Sequence, residues 1–281
     1  MGCIYCYARP SHAWLGLSPG LDFESRIFYK PDAAALLEKE LAKPVYQCAP
    51  IALGGNTDIY QPVERDLKIT RQILEVLSRH HHPVTLITKS AMIERDIDLL
   101  SDMARRNLIH TAVTITTLDK SLARTLEPRA AAPHRRLETV RRLSEAGIPV
   151  TVMVAPIIPA LNDSEMETIL QRVADAGAHD AHYILLRLPL ELTALFEEWL
   201  QQHYPLKAAH VMSLIRQSRD GKTNDARFGS RMRGSGLFAD MIAQRFKLAK
   251  ARLPFRPSPT LDSGQFNPPR VTSSPQFDLF D

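Results

Sequence analysis

The chain has 281 residues, and 44% of them are hydrophobic, so it can bury one large core or two small ones. It contains no run of 18 apolar residues, no secretory leader pattern and only three cysteines, which argues against a membrane protein and a disulfide-stabilised secreted protein. We therefore expect a cytoplasmic location and no membrane partner. The net charge of +4 is uneven, because residues 205–256 carry 12 Lys or Arg against three Asp. That block fits either a nucleic-acid partner or a solvated basic surface.

Strand and helix patterns alternate over residues 30–189. Short apolar runs predict five strands, at 51–53, 83–88, 112–117, 150–155 and 183–186. Apolar residues at helical spacing predict the intervening helices, at 31–41, 62–80, 93–105, 134–146 and 164–176. Alternating βα units imply a parallel α/β sheet, and five strands are too few for a closed eight-stranded barrel. We expect an open, partial TIM-type barrel, with a doubly wound sheet as the alternative; ligands bind at the carboxyl ends of the strands in both.

The pattern changes after Pro189. Helices are predicted at 190–203, 208–217 and 237–253, and a basic, glycine-containing loop at 219–236 precedes the last of them. Residues 254–281 are rich in proline and serine, a composition typical of a disordered tail. The predicted organisation is a core at 1–189, a helical C-terminal extension at 190–253 and a disordered tail at 254–281.

Cys3 and Cys6 form a closely spaced pair at the start of the chain. Thiolates at this spacing bind zinc or an iron–sulfur cluster, or act in thiol–disulfide exchange. A zinc ribbon would need a second pair, and only Cys48 remains, in a predicted loop. The pair alone leaves these alternatives open, including a zinc-binding interaction module that also uses His12.

Polar residues follow three successive predicted strands. They are Gly54, Gly55, Asn56, Thr57 and Asp58 after the first, Lys89 after the second, and Thr114, Thr117, Glu127 and Arg129 on or after the third. Each has an ordinary explanation as a turn, a surface cation or a β-branched strand residue. Parallel strands, however, bring their carboxyl ends to one rim, so a ligand shared by these residues is the simpler interpretation.

The segment Cys3-Ile4-Tyr5-Cys6-Tyr7-Ala8-Arg9 resembles the latter part of the radical S-adenosylmethionine (SAM) signature, Cys-x3-Cys-x-aromatic-Cys. Segments 52–58, 87–90, 113–117 and 127–129 are similar in order and spacing to the spore photoproduct lyase-like branch of that superfamily, also termed DNA repair photolyase-like. The resemblance covers residues 2–189. It implies an enzyme with a [4Fe–4S] cluster, SAM as cofactor and an external electron donor of the flavodoxin or ferredoxin type.

The resemblance also implies roles for individual residues. Cys3 and Cys6 would ligate the cluster. The implied cofactor-binding residues are Tyr5 against the adenine, Gly54, Gly55 and Asn56 at the methionine amino group, Thr57, Asp58, Lys89 facing the carboxylate, Thr114, Thr117, Glu127 and Arg129. No catalytic residue is identified.

Three departures from the family pattern accompany this resemblance. The first signature cysteine would stand four residues before Cys3, upstream of Met1, and the strand that precedes the motif is also missing; a wrong start codon, a fragment or a degenerate gene would each explain this. Asn56 stands where the family has Glu, and Gly55 where the hydrogen-donating cysteine of the lyase aligns.

We expect a 5′-deoxyadenosyl radical that abstracts hydrogen from a nucleic-acid base, with the basic block at 205–256 holding phosphates. The alternatives are the same chemistry on a small molecule or protein, or a non-enzymatic zinc module. Of the remaining residues, we expect His12 and His134 at the surface, Trp14 and Phe23 beside the cofactor, and Trp199 in the core.

Overall fold

The structure, a computed structural model, describes residues 2–269 and contains one parallel sheet. Its strands are β1 (Ile51–Leu53), β2 (Val84–Thr88), β3 (Ile109–Thr114), β4 (Val150–Ile157) and β5 (Asp180–Leu185). They lie in the order of the sequence, and each neighbouring pair is parallel. This order excludes a doubly wound sheet, whose order reverses at a switch point. The sheet does not close on itself within the described residues, so the predicted partial TIM-type barrel is confirmed.

The helices connect and follow these strands. Within residues 2–269 they are α1 (Pro10–Ala13), α2 (Leu21–Ser25), α3 (Ala33–Leu41), α4 (Glu64–Leu67), α5 (Ile69–Arg79), α6 (Ile97–Arg105), α7 (Lys120–Leu126), α8 (Pro133–Glu145), α9 (Met166–Asp175), α10 (Leu192–His203), α11 (Pro205–Gln217), α12 (Ser230–Arg233) and α13 (Gly236–Ala251). Short 3-10 helices cover Ala91–Asp96, Asp163–Glu165 and Ser263–Gln265. No helix in this part of the chain is both long and apolar enough to cross a bilayer.

Within the alternating strand and helix units, the helices differ from the prediction in two places. The helix predicted at 62–80 is split into α4 and α5, because Lys68 adopts a left-handed conformation with φ +52°. Helix α7 was not predicted. It is short, but Asp119 caps it by accepting hydrogen bonds from the amides of Ser121 and Leu122, a signal that the sequence contains.

The hydrophobic core has two clusters. One lies between the sheet and its flanking helices and reaches Phe246 in α13, whose ring is 4.8 Å from that of Tyr183. The other gathers α10 and α11 against the amino-terminal segment and includes Cys3, Tyr5 and the buried Trp199. The helices after residue 189 thus share both clusters with the preceding sheet, and the expected burial of Trp199 is confirmed.

The described part of the predicted tail, residues 254–269, makes specific contacts with the rest of the chain. This segment runs past the amino ends of the strands: the carbonyl of Pro257 is 2.9 Å from Nε2 of His179, and the amide of Asp262 donates to the carbonyl of Asn107 at 3.0 Å. Phe266 packs edge-on against His82, with centroids 5.3 Å apart. Composition does not predict these contacts, because the backbone partners are distant in the sequence. The remainder of the predicted tail, residues 270–281, lies outside the described residues.

Candidate functional site

A cavity of about 250 Å³ opens at the carboxyl ends of the strands. The amino-terminal segment forms one wall, and the loops after β1, β2 and β5 form the others. Of the residues that the sequence indicated, it brings together Cys3, Tyr5, Cys6, Gly54, Gly55, Asn56, Thr57, Asp58, Lys89 and Thr114. The expected meeting of the strand-end residues beside the thiol pair is therefore observed.

The thiol pair lies on a tight turn in which the amide of Cys6 donates to the carbonyl of Cys3 at 3.2 Å. Cys3 is buried and Cys6 is partly exposed. Burial raises the pKa of the Cys3 thiol to about 12, and the nearby Glu127 carboxylate adds to the effect. A thiol in such a place is inert until a cation binds, because a metal favours the thiolate.

The two thiols fit as two ligands of an iron–sulfur cluster. Within residues 2–269, no group of three or more His, Cys, Asp or Glu side chains could hold a metal ion, so the described chain brings no third ligand to them. Cys48 lies elsewhere, before β1, and is not among the described residues that line the cavity.

Arg9 holds the turn that carries the thiols. Its guanidinium is fully buried and donates to the carbonyls of Gly2 and Cys3 at 3.1 and 2.9 Å, and to the carboxylate of Glu24 at 2.6 Å. Two further carbonyls, of Pro19 and Gly20, accept from the same group. The backbone around Cys3 is thus fixed from behind, a role that the sequence did not reveal.

The aromatic residues after the thiol turn correct two expectations. His12 is buried, not at the surface, with its ring 5.0 Å from that of Phe23. Trp14 is 83% exposed and lies away from the cavity wall, whereas Phe23 lines the cavity as expected. His134 is exposed, as predicted.

The loop after β1 approaches the end of β2 closely. Gly54 has φ +85°, and a Cβ at this position would lie 2.2 Å from the carbonyl oxygen of Ile87, so only glycine fits. Asp58 then joins the two strand ends: its carboxylate accepts from the hydroxyl of Thr88 at 2.7 Å and from the amide of Lys89 at 2.8 Å. Asp58 therefore shapes the cavity wall that presents Lys89.

Lys89 and Tyr5 face each other across this wall, with the ammonium nitrogen 5.8 Å from the ring centroid. The hydroxyl of Tyr5 points away from the cavity, donates to Glu127 and lies 3.2 Å from that of Thr116. Only the ring of Tyr5 is thus available to a ligand.

Beneath Tyr5 lies a buried ionic network, termed here the floor, made of Glu127, Arg136 and Thr116. Glu127 pairs with the guanidinium of Arg136, and the hydroxyl of Thr116 donates to it at 2.6 Å. Burial alone would raise the pKa of Glu127, but Arg136, Lys89 and Thr116 outweigh it, so the net shift is downward. The carboxylate therefore stays ionised within the fold.

Three residues assigned to cofactor binding, Glu127, Thr117 and Arg129, are not among the described residues that line the cavity. Glu127 lies in the floor, behind Tyr5. The hydroxyl of Thr117 donates to Glu165, beyond the end of β3. Arg129 donates to the carbonyl of Glu24 and lines a separate, second cavity.

The sequence missed the residues at the opening of the cavity. They are Tyr7, Arg187 and Met232. Arg187 follows β5 as Lys89 follows β2, so the strand-end rule could have identified it. Met232 belongs to α12, which was predicted as loop, and no local signal points to it.

Comparison with known proteins agrees with this geometry. The profile of the Radical SAM superfamily matches residues 1–173. An uncharacterised protein of Mycobacterium tuberculosis is 32% identical over 217 residues, covering 76% of this chain and 64% of that protein, so this chain spans less than two thirds of that relative's length. An uncharacterised protein of Methanocaldococcus jannaschii is 27% identical over 203 residues, 72% of each chain.

Among solved structures, spore photoproduct lyase complexed with dinucleoside spore photoproduct has a TM-score of 0.62 at 16% identity, over 90% of this chain and 71% of that one. At this identity the likeness shows a common fold. The profile match covers more than half of the chain, including the thiol pair and the loops after β1 and β2. The chain belongs to the radical SAM superfamily, whose membership implies SAM and a [4Fe–4S] cluster.

Proposed function

We propose that this chain uses one electron from an external flavodoxin or ferredoxin type donor to cleave SAM into methionine and a 5′-deoxyadenosyl radical, which takes a hydrogen atom from a nucleic-acid base in a lyase-like reaction. The observation that carries the proposal is the convergence of Cys3, Cys6 and the loops after β1 and β2 on one cavity. Cofactors supply this chemistry, and the protein orients them and excludes water.

Different residues of the cavity would hold the cluster and the different parts of SAM. Cys3 and Cys6 are the thiolate ligands at one end of the cavity, and soft thiolates suit iron. Asn56, Thr57 and Lys89 offer an amide, a hydroxyl and an ammonium group to the amino-acid end of the cofactor. The proposed contact of Tyr5 with the adenine uses the ring face.

The opposite wall is apolar. Met153, Ala155, Ile184 and Leu186 line it, on or just after β4 and β5. An apolar wall keeps water and exchangeable hydrogens from a reactive carbon-centred species, which protects it until the substrate is in place. This wall is therefore where we expect the substrate carbon that loses hydrogen.

Support for a nucleic-acid substrate is narrower than the sequence suggested. Several cations of residues 205–256 pair with carboxylates of the chain itself: Arg216 with Glu197, Arg227 with Asp220, Arg245 with Glu167 and Lys250 with Asp180. These charges are used in contacts within the chain: between helices, within the loop at 219–236, and between α13 and β5. Two observations still favour a nucleic-acid substrate. One is the fold shared with a lyase solved with a dinucleoside, and the other is that Arg187 and Arg231 form no ion pair among the described residues.

The proposal is tested by anaerobic iron–sulfur reconstitution of the 281-residue chain and of a version extended so that a cysteine stands four residues before Cys3. We expect brown protein that binds iron and forms 5′-deoxyadenosine from SAM on reduction, at least in the extended version. Cys3→Ala and Cys6→Ala should abolish both properties. Cys48→Ala is the matched control and should retain them.

Colourless protein without 5′-deoxyadenosine from either version would contradict the proposal, and stoichiometric zinc in place of iron would favour the interaction module. The substrate class is tested separately with perdeuterated oligonucleotides. Deuterium in the 5′-deoxyadenosine supports hydrogen abstraction from nucleic acid, and its absence with continued cleavage points to a small molecule or protein.

A further inference from the structure

Arg187 stands at the opening of the cavity without an acidic partner. It follows β5 directly, is half-buried and lines the cavity. Its guanidinium carbon lies 5.0 Å from the ring centroid of Tyr7, and its hydrogen bond to the side-chain oxygen of Asn224 is long, at 3.5 Å. Among residues 2–269 it forms no ion pair. A half-buried guanidinium with so little compensation is a costly arrangement.

A second arginine lies on a segment that the side chain of Arg219 ties to the end of β5. Arg231, in α12, also forms no ion pair within the described chain, and its guanidinium carbon lies 4.0 Å from the ring centroid of Phe228. Burial lowers the pKa of Arg187, and Arg231 lowers it further, so the two cations are close enough to repel each other.

The acidic residues of the same loop are used elsewhere. Asp225 accepts from Arg227 and from the hydroxyl of Ser230, and Asp220 accepts from Arg227 and Ser235. The loop at 219–236 therefore has two carboxylates of its own and directs both to a different arginine. No carboxylate of the described residues therefore pairs with Arg187 or Arg231.

The position of Arg231 is fixed from below. Arg219 is buried and donates to the carbonyl of Arg231 at 2.8 Å and to the carbonyl of Leu185, in β5, at 2.8 Å. It also donates to the carbonyl of Leu186, next to Arg187, at 3.1 Å. One buried side chain thus holds together the two backbone segments that carry the unpaired arginines.

We infer that Arg187 and Arg231 form a subsite for a phosphate group of the substrate, beside two aromatic rings on which a base can stack. Guanidinium groups bind phosphate through paired, charge-assisted hydrogen bonds. Phe228 is 88% exposed and Tyr7 is 47% exposed, and exposed rings beside cations are typical of surfaces that bind unpaired bases. The inference rests on the proposed function and names the group by which the substrate is recognised.

The test measures binding by fluorescence anisotropy, without SAM or cluster, so that it is independent of radical chemistry. The probes are fluorescein-labelled hexathymidylate and the same hexamer with uncharged methylphosphonate linkages. We expect the anionic hexamer to bind about tenfold more tightly. Arg187→Gln and Arg231→Gln should each remove about tenfold of that affinity and leave the methylphosphonate hexamer unaffected.

Two further readouts separate a phosphate contact from a general charge effect. Each substitution should lower the slope of log K against log salt by about 0.7, the value for one phosphate on a single strand. Arg187→Lys keeps the charge but not the paired donors, so it should restore only part of the affinity. Arg252→Gln, at an exposed arginine after α13 without an ion pair, is the matched control and should change the affinity less than about twofold.

Equal binding of the two hexamers, or equal effects of Arg187→Gln and Arg252→Gln, would overturn the subsite even if SAM cleavage is found. If Arg187→Gln lowers the melting temperature, Arg231→Gln, at a partly exposed residue, decides alone. Competition by thymidine 5′-monophosphate at the concentration of the hexamer assigns the phosphate to a free nucleotide, and failure to compete assigns it to a strand. Both results support phosphate recognition.

Discussion

The floor and the opening of the same cavity use arginine in opposite ways. In the floor, Arg136 and Glu127 have only 2% and 1% of their side chains exposed and neutralise each other. At the opening, Arg187 and Arg231 have no carboxylate partner among the described residues. The difference indicates that the charges of the floor stabilise the fold, whereas the charges at the opening are available to bind a ligand.

The floor is fully hydrogen-bonded as well as neutral. Arg136 also donates to the carbonyl of Thr114, at the end of β3, and to that of Ala131, before α8. A buried ion pair is tolerated when its remaining donors are satisfied in this way. The floor therefore locks the end of β3 under Tyr5, and removal of either partner leaves the other charged and buried.

The largest effect we predict is on the floor. Glu127→Gln keeps the shape of the side chain but leaves Arg136 without its counter-charge, and breaking a buried pair in this way costs about 3–5 kcal/mol. The free energy of unfolding from urea denaturation should fall by that amount. The same measurement on Arg187→Gln should show a change within about 0.5 kcal/mol, because its charge has no partner to lose.

The order of the two effects should reverse when binding of hexathymidylate is measured instead of stability. Arg187→Gln weakens the binding of hexathymidylate, and Glu127→Gln leaves it unchanged at temperatures where the variant is folded. A stability loss below about 1 kcal/mol for Glu127→Gln would mean that the network relaxes and is not the lock described above.

A smaller effect on stability is expected at Gly54, in the loop after β1, where the fit of the backbone and not charge is at stake. Gly54→Ala forces a side chain onto a left-handed residue and against the carbonyl of Ile87, which should cost about 1–3 kcal/mol of unfolding free energy. Gly55→Ala is the matched control, because a Cβ there meets no atom within 4 Å. If the two variants unfold at the same urea concentration, the close approach of the loop after β1 to β2 is not a constraint.

The sequence predicted the parts of this site that depend on strand periodicity. Apolar runs located the strands, and the rule that parallel strands end at one rim brought Lys89 and the loop beginning at Gly54 together correctly. Glu127 was expected at the rim because α7 was not predicted. Without that helix the residue reads as part of a rim loop, whereas in the structure it turns beneath Tyr5.

Other features could not be read from local patterns. Arg187 and Arg231 are brought together by Arg219, whose acceptors are backbone carbonyls of both segments, and no composition or spacing encodes such contacts. The contacts of the described part of the tail likewise follow from no local pattern, because its hydrogen bonds are to loops distant in the sequence. Hydrogen bonds between a side chain and a backbone carbonyl far away in the sequence cannot be predicted from the sequence pattern.

The smallest effect we predict concerns an ion pair whose exposure to solvent is intermediate between that of the floor and that of the opening. Glu94, in the 3-10 helix before α6, has 11% of its side chain exposed and binds Arg135 of α8 at 2.6 Å. Burial alone would raise the pKa of Glu94, but hydrogen bonds from Arg135 and Thr139 outweigh it and the pKa is lowered. A carboxylate with a lowered folded pKa stabilises the fold above its unfolded value, here 4.5, and loses that contribution as the pH falls through the folded value.

Glu94→Gln should therefore cost about 1 kcal/mol of unfolding free energy near neutral pH, a value reduced by solvent screening of the partly exposed partners. The difference from the unsubstituted chain should shrink as the pH falls below 4.5, because both then carry a neutral group at this position. Urea denaturation at a series of pH values measures it, with Glu145→Gln, an exposed partner of Arg141, as the control that shows no change. A difference that stays constant across this range would mean that the substitution removes packing and not charge. In that case the exposure of an ion pair would not predict how much its charge contributes to the free energy of unfolding.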